Sequence, residues 1–148
     1  MKLVVDTNIF FSGLIKDSIT RKILLNPEYE FYVPDFFLYE LKKYEQYLIK
    51  KTNLTKNEFK LVLDKLLDNI YLIPIKEYSE KLTKARNIIG DIDKKDIPFI
   101  AVALSIKNDG IWSNDKDFFK QSVIKIYTTN DLILKLKEKE TGESNNQK

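Results

Sequence analysis

The sequence contains no cysteine and no histidine. The first absence removes disulfides, thiol nucleophiles and thiolate metal sites; the second removes imidazole acid–base chemistry and Ser-His-Asp triads. Arginine is nearly as scarce, with only Arg21 and Arg86, so bidentate reading of base edges in a duplex groove is disfavoured, and with it a sequence-reading DNA binder. Apolar runs such as Phe99 to Ile106 stop well short of the roughly 18 residues that suggest a membrane span. Near the start, Asp6 interrupts Leu3-Val4-Val5 before a signal-peptide core can form, and the expected location is the cytoplasm. Carboxylates, lysines, hydroxyls and bound ions are left to carry any catalysis.

What is present is a chain of 148 residues, 43% hydrophobic and 12% aromatic. That is enough for one domain with a sizeable core and too little for two. Lys and Arg total 25 against 22 Asp and Glu, a net charge of +3 that permits a polyanionic partner without demanding one. Residues 1–136 read as the single domain. Residues 137–148 lack large apolar side chains, contain Gly142, Ser144 and Asn145-Asn146, and read as a disordered tail.

Strand and helix signals alternate. Leu3-Val4-Val5 reads as a strand ending in the turn Asp6-Thr7-Asn8, and helical spacing then continues through Phe10, Phe11, Leu14, Ile23 and Leu24, weakened at Gly13. After Asn26-Pro27, Phe31-Tyr32-Val33 predicts a second strand, and Pro34-Asp35 opens a helix with Phe37, Leu41, Tyr44 and Leu48 on one face. A polar joint at Thr52 to Thr55 precedes a helix from about Lys56 to Leu67, the strand Tyr71-Leu72-Ile73 and a helix near Tyr78 to Ile89. A charged loop, Gly90 to Asp96, leads into a helix with Pro98 in its first turn, closed by Gly110. Ile111-Trp112-Ser113 and Val123 to Tyr127 supply the fourth and fifth strands, and a last helix lies around Asp131 to Leu136. This alternation predicts an α/β fold, a parallel sheet with helices on both faces.

In such sheets ligands bind beyond the carboxyl ends of the strands. Asp6 follows the first strand, Asp115 follows the fourth, Asp96 begins a helix, and Glu40 lies on a helix close to its apolar stripe. Four carboxylates from distant parts of the chain can therefore reach one end of the sheet. Crowding them is costly unless cations neutralise them, and all-oxygen ligation suits Mg²⁺ and Mn²⁺. Such ions would allow phosphodiester hydrolysis without histidine, and Lys94, Lys95 and Lys116 flank the acids as possible phosphate contacts.

These residues carry a resemblance. Val4-Val5-Asp6-Thr7-Asn8, Glu40, Asp96-Ile97-Pro98-Phe99-Ile100-Ala101-Val102-Ala103-Leu104 and Trp112-Ser113-Asn114-Asp115-Lys116-Asp117-Phe118 resemble the PIN domain family over residues 2 to 134. The resemblance implies a three-layer α/β/α fold with a five-stranded parallel sheet and a metal-dependent endoribonuclease using one or two Mg²⁺ or Mn²⁺ ions. It assigns Asp6, Glu40, Asp96 and Asp115 as the acidic quartet that catalyses and binds metal, Asp117 as a further metal-binding acid, and Asn8 and Asp93 as supporting residues. It also implies a VapC-like toxin with an RNA substrate, an antitoxin partner and a homodimer. The extra helical stretch Leu54 to Asp68 would be a clip for dimer or partner contacts.

Each acid also has a plainer reading. Asp6, Asp96, Asp115 and Asp117 could simply cap turns or helices, and Glu40 could be a solvated helix residue. The aromatics Phe10, Phe11, Phe36, Phe37 and Tyr44 read as core, and Lys42-Lys43 and Lys50-Lys51 as solvated surface. An aspartyl-phosphate phosphatase of the haloacid dehalogenase kind would want a second aspartate two positions after the first, where this chain has Asn8. A housekeeping RNA-processing nuclease and a non-catalytic RNA- or protein-binding PIN domain stay open beside the toxin.

Overall fold

The computed structural model describes residues 1–16, 18–90 and 93–146. Five parallel strands, β1 (Lys2–Val5), β2 (Glu30–Pro34), β3 (Ile70–Ile73), β4 (Gly110–Trp112) and β5 (Ile126–Tyr127), form one sheet in the order β3-β2-β1-β4-β5. The helices are α1 (Thr7–Ile15), α2 (Ile19–Leu24), α3 (Phe36–Thr52), α4 (Lys56–Leu67), α5 (Ile75–Tyr78), α6 (Leu82–Ile89), α7 (Ile97–Ser105) and α8 (Thr129–Asn146). The expected three-layer architecture with a five-stranded parallel sheet is the one observed.

Strand side chains alternate between faces, so each central strand feeds two cores. Leu3 and Val5 join Phe31, Val33 and Trp112 against α1, α2, α3, α4 and α8. Val4 and Ile111 face the other way, onto α6 and the almost wholly apolar α7. The register that pairs Val4 with Ile111 and Val5 with Trp112 puts side chains of like orientation side by side. Each fully buried large apolar side chain among them contributes about 1.5–3 kcal/mol, which rigidly fixes the ends of β1 and β4.

Several boundaries differ from the pattern for identifiable reasons. The long first helix is two helices. Gly13 is a contact point rather than a weak link, since a Cβ there would meet Leu24 Cδ1 at 2.6 Å. Arg21 folds back to donate to the carbonyls of Gly13 and Leu14 at 2.7 and 2.9 Å. The helix expected near Tyr78 to Ile89 is split into α5, a 3₁₀ turn at Ser79–Lys81, and α6. The fifth strand shrinks to Ile126–Tyr127 because Gln121 occupies the backbone before it, accepting from Val123 and Ile124 N–H and donating to the Phe118 and Ile124 carbonyls. Gly110 does not close α7: Asn108 does so, donating to the carbonyls of Ala103 and Ile106. The last helix continues past Leu136 to Asn146, with Lys139 paired to Glu28. The charged loop is described only in part, Asp91 and Ile92 lying outside the described residues.

Gly110 instead serves the sheet. Its φ is +145° and a Cβ would collide with the Lys125 carbonyl of the incoming β5 segment. Gly110→Ala should therefore destabilise the protein by about 2–4 kcal/mol, from positive-φ strain and overpacking together. Gly142→Ala, in α8 with nothing near its Cβ position, should stabilise it by roughly 0.5 kcal/mol or leave it unchanged. Urea denaturation of both variants checks the pair.

Candidate active site

The strand order reverses at β1, with β2 and β3 on one side and β4 and β5 on the other. A crevice opens at such a switch point, beyond the carboxyl ends of the two central strands. Asp6 follows β1 there. Its N–H continues the ladder to the Trp112 carbonyl at 3.1 Å, so the backbone carrying its carboxylate is fixed to β4. Asp6 Oδ1 accepts from Asn8 N–H at 3.4 Å, as a helix cap would, while Oδ2 accepts from the Ser113 hydroxyl at 2.8 Å. Ser113 is fully buried, and its oxygen also accepts from Asp115 N–H at 3.0 Å. One hydroxyl thus ties together the acids that leave β1 and β4. Asp115 Oδ1 in turn accepts from Asp117 N–H at 2.9 Å, starting the 3₁₀ turn Lys116–Lys120.

Glu40 comes from α3, one turn after the core residue Phe37. It is buried, and its Oε1 accepts from the Thr7 hydroxyl at 2.7 Å. A 3₁₀ turn at Lys94–Asp96 brings the remaining acids, with Asp93 Oδ1 accepting from Lys95 N–H at 2.9 Å. Asp96, at the start of α7, makes no side-chain cap bond. Its Oδ2 is buried without a hydrogen-bond partner among the described residues. The simple capping role therefore does not account for Asp96, whereas it does describe part of what Asp6, Asp93 and Asp115 do.

Asp6, Asn8, Glu40, Asp93, Asp96 and Asp115 all line one cavity of about 400 Å³. Asp117 reaches the cluster from its edge: carboxylate oxygens of Asp93, Asp96 and Asp117 lie within 4.8 Å of one another. Every site residue expected from the sequence is thus brought to one place. The tightest group, however, joins Asp96 to the two acids given lesser roles, rather than to the rest of the quartet. Of the three flanking lysines, Lys95 lines the cavity, and Lys94 and Lys116 do not.

The electrostatics follow from this crowding. Burial raises the Asp6 carboxyl above its ordinary value, as do the charges of Asp115 and Asp93, while the hydrogen bonds from Ser113 and Asn8 oppose the rise. Burial also raises Glu40, with Asp6 adding to the effect and the Thr7 hydrogen bond and Lys95 opposing it. Asp96 is pushed up to about 8, first by burial and then by Asp93, Asp6, Asp115 and Asp117. Lys120 meets Asp117 at 3.0 Å on the rim. Oxygen donors alone, one of them buried and unpaired, fit a hard divalent cation such as Mg²⁺ or Mn²⁺.

A family model described as PIN domain matches residues 4–137. The chain belongs to the PIN domain family. No curated protein matches it. Membership points to a nuclease, and the acidic cluster of this PIN domain is a group that could hold a metal ion.

Sequence reasoning gave no role to Ser113 or Thr7, the neutral donors that orient Asp6 and Glu40. Their signal was present: a hydroxyl directly after each central strand or its turn, where a buried acid needs a donor. Phe10 and Phe37 are core as expected, but Phe11 and Tyr44 are half-buried and line the cavity, as does the exposed Tyr47.

The Asp96 shift has a thermodynamic consequence in metal-free protein. Between the ordinary carboxylate range and about pH 8 the folded state holds a proton that the unfolded chain has lost, so stability falls as pH rises through that window. Asp6 and Glu40 act in the same direction. In EDTA, the Tm of the wild type should drop between about pH 5 and pH 8. Asp96→Asn should flatten the drop and lie above the wild type at the upper end. Millimolar Mg²⁺ should then raise the Tm of the wild type and have much less effect on the variant. Parallel pH slopes for the two proteins would contradict the assignment.

Proposed function

We propose that this PIN domain is a Mg²⁺- or Mn²⁺-dependent endoribonuclease that hydrolyses RNA phosphodiester bonds, acting in the cytoplasm as the homodimeric toxin of a VapC-like toxin–antitoxin pair. The observation that carries the catalytic reading is Asp96 Oδ2, buried without a hydrogen-bond partner among the described residues, on an acid that lines the cavity where four separate segments bring their carboxylates. An unsatisfied buried polar group costs roughly 1–3 kcal/mol, and more when charged. A site that keeps such a group is one built for a ligand that supplies the missing partner.

Asp6, Glu40, Asp96 and Asp115 would hold the ion or ions, with Asp93 and Asp117 adding oxygens on the Asp96 side. A divalent ion bound there supplies positive charge for the phosphoryl group and lowers the pKa of water at the site. The chain's own contribution is positional. Ser113 fixes one Asp6 oxygen and Thr7 one Glu40 oxygen, so the carboxylates are aimed before substrate arrives. Asn8, on the first turn of α1, faces the same cavity, and Lys95 there would hold a phosphate beside the scissile one as a point charge. The toxin assignment rests on the sequence resemblance. The clip helix α4, with Leu61 left 71% exposed, suits contacts with an antitoxin or a second subunit.

Labelled RNA incubated with Mg²⁺ or Mn²⁺ should be cut internally, and EDTA should abolish cutting. Asp96→Asn should lower the rate at least 100-fold. Ser113→Ala should lower it about tenfold, the usual cost of losing a partner that orients a metal ligand. Cleavage that survives both EDTA and Asp96→Asn would refute the mechanism. In cells, induced expression without a partner should stop growth, and Asp96→Asn should relieve the arrest; harmless expression of active enzyme would refute the toxin role.

A further inference from the structure

Glu40, Tyr44 and Tyr47 are spaced i, i+4, i+7 on α3, so one helix face runs from the acidic cluster to Tyr47, about 10 Å further along the axis. Phe11 packs edge-on against Tyr44 at 5.8 Å, and both are half-buried. Tyr47 is different: it is 55% exposed, yet it lines the acidic cavity and also an adjoining one of about 350 Å³. The two cavities share Asn8, Phe11 and Tyr47, making a continuous path that leaves the acids across aromatic rings. Cations accompany it. Lys51 Nζ lies 5.8 Å from the Tyr47 ring, Lys43 Nζ lies 5.5 Å from the Tyr44 ring, and Lys16 lines the second cavity.

We infer that this face of α3 is a stacking shelf for an unpaired nucleobase of single-stranded RNA, with Tyr47 as the residue the base lies on. The inference rests on the nuclease reading and adds a substrate-positioning residue to it. With Lys51 Nζ over one face of its ring, the exposed Tyr47 has the opposite face to offer a base, because every base has a π-face and stacking does not read sequence. The neighbouring ammonium groups meet the phosphates that flank the stacked base. A duplex hides its base faces, so the shelf selects unpaired strands. Tyr39 shows the contrast on the same helix: it is 63% exposed, but it stacks on Phe36 and lines neither cavity.

Two measurements test the shelf. In cleavage of a single-stranded RNA, Tyr47→Ala should raise KM about tenfold, within the usual worth of a base on an aromatic ring, with kcat nearly unchanged. Tyr47→Phe should restore the wild-type KM, and Tyr39→Ala should match the wild type. In binding, a single-stranded RNA bearing 2-aminopurine beside the cut position, held uncleaved in Ca²⁺, should lose fluorescence on wild type and Tyr47→Phe but not on Tyr47→Ala. The same RNA annealed to its complement should show no Tyr47 dependence. Normal KM and normal quenching in Tyr47→Ala would overturn the shelf and leave the nuclease reading intact. Tyr47-dependent quenching without cleavage in Mg²⁺ or Mn²⁺ would support the shelf and overturn the nuclease reading.

Discussion

The carboxylates gathered at the carboxyl ends of β1 and β4 are the constraint to which the rest of this protein responds. Placing several acids in one partly buried crevice opposes folding at neutral pH, because each is desolvated and each repels the others. The chain accepts that cost at one place and offsets it elsewhere, chiefly through two apolar layers that clamp the sheet from both sides. The clamp also supplies precision. Val4 and Val5 hold the strand that ends at Asp6, and Ile111 and Trp112 hold the one that leads to Ser113 and Asp115. Neighbouring residues of a single register therefore set both the core and the separation of the acids.

The same arrangement explains why Asp96 is the most perturbed member. It lies where the 3₁₀ turn meets the apolar α7, and burial and the charges of Asp93, Asp6, Asp115 and Asp117 all raise it, whereas hydrogen bonds oppose the rise at Asp6 and Glu40. Pro98, without an N–H, and an Asp96 backbone already in helical conformation leave the carboxylate making no cap bond. A helix start that could have satisfied this acid locally has not done so, and one of its carboxylate oxygens lies within 4.8 Å of those of Asp93 and Asp117.

Much of this was legible in the residues. Binary patterning located all five strands, because buried central strands read as short β-branched or aromatic runs bounded by polar turns. Asp6 and Asp115 were legible because they directly follow those runs, Asp96 because it begins a helix, and Glu40 because it lies beside the apolar stripe of one. Less legible were features set by contacts distant in sequence. Gly110 looks like a helix stop until β5 is seen pressing against it, and Gln121 looks like a surface residue until it is seen replacing a strand's hydrogen bonds. The tightness of Asp93, Asp96 and Asp117 could not be read either, since it depends on how two 3₁₀ turns meet. Nor could the exposure of Tyr47, which has the same helical spacing as its buried neighbours.

The choice of supporting groups carries a further lesson about sites of this kind. Lysine is abundant, and an ammonium beside Asp6 or Glu40 would have offset the repulsion directly. It would also have neutralised the charge that attracts a divalent ion and competed with that ion for the same oxygens. The innermost acids are instead met by neutral donors: Ser113 and Asn8 on Asp6, and Thr7 on Glu40. Such donors orient the carboxylate oxygens without cancelling their negative charge. The cations nearby are exposed ones: Lys120 meets Asp117, and Lys95 lines the cavity. Neutral groups inside and charged groups outside let the cluster be rigid without being self-neutralised, which is what a binding site for a hard cation requires.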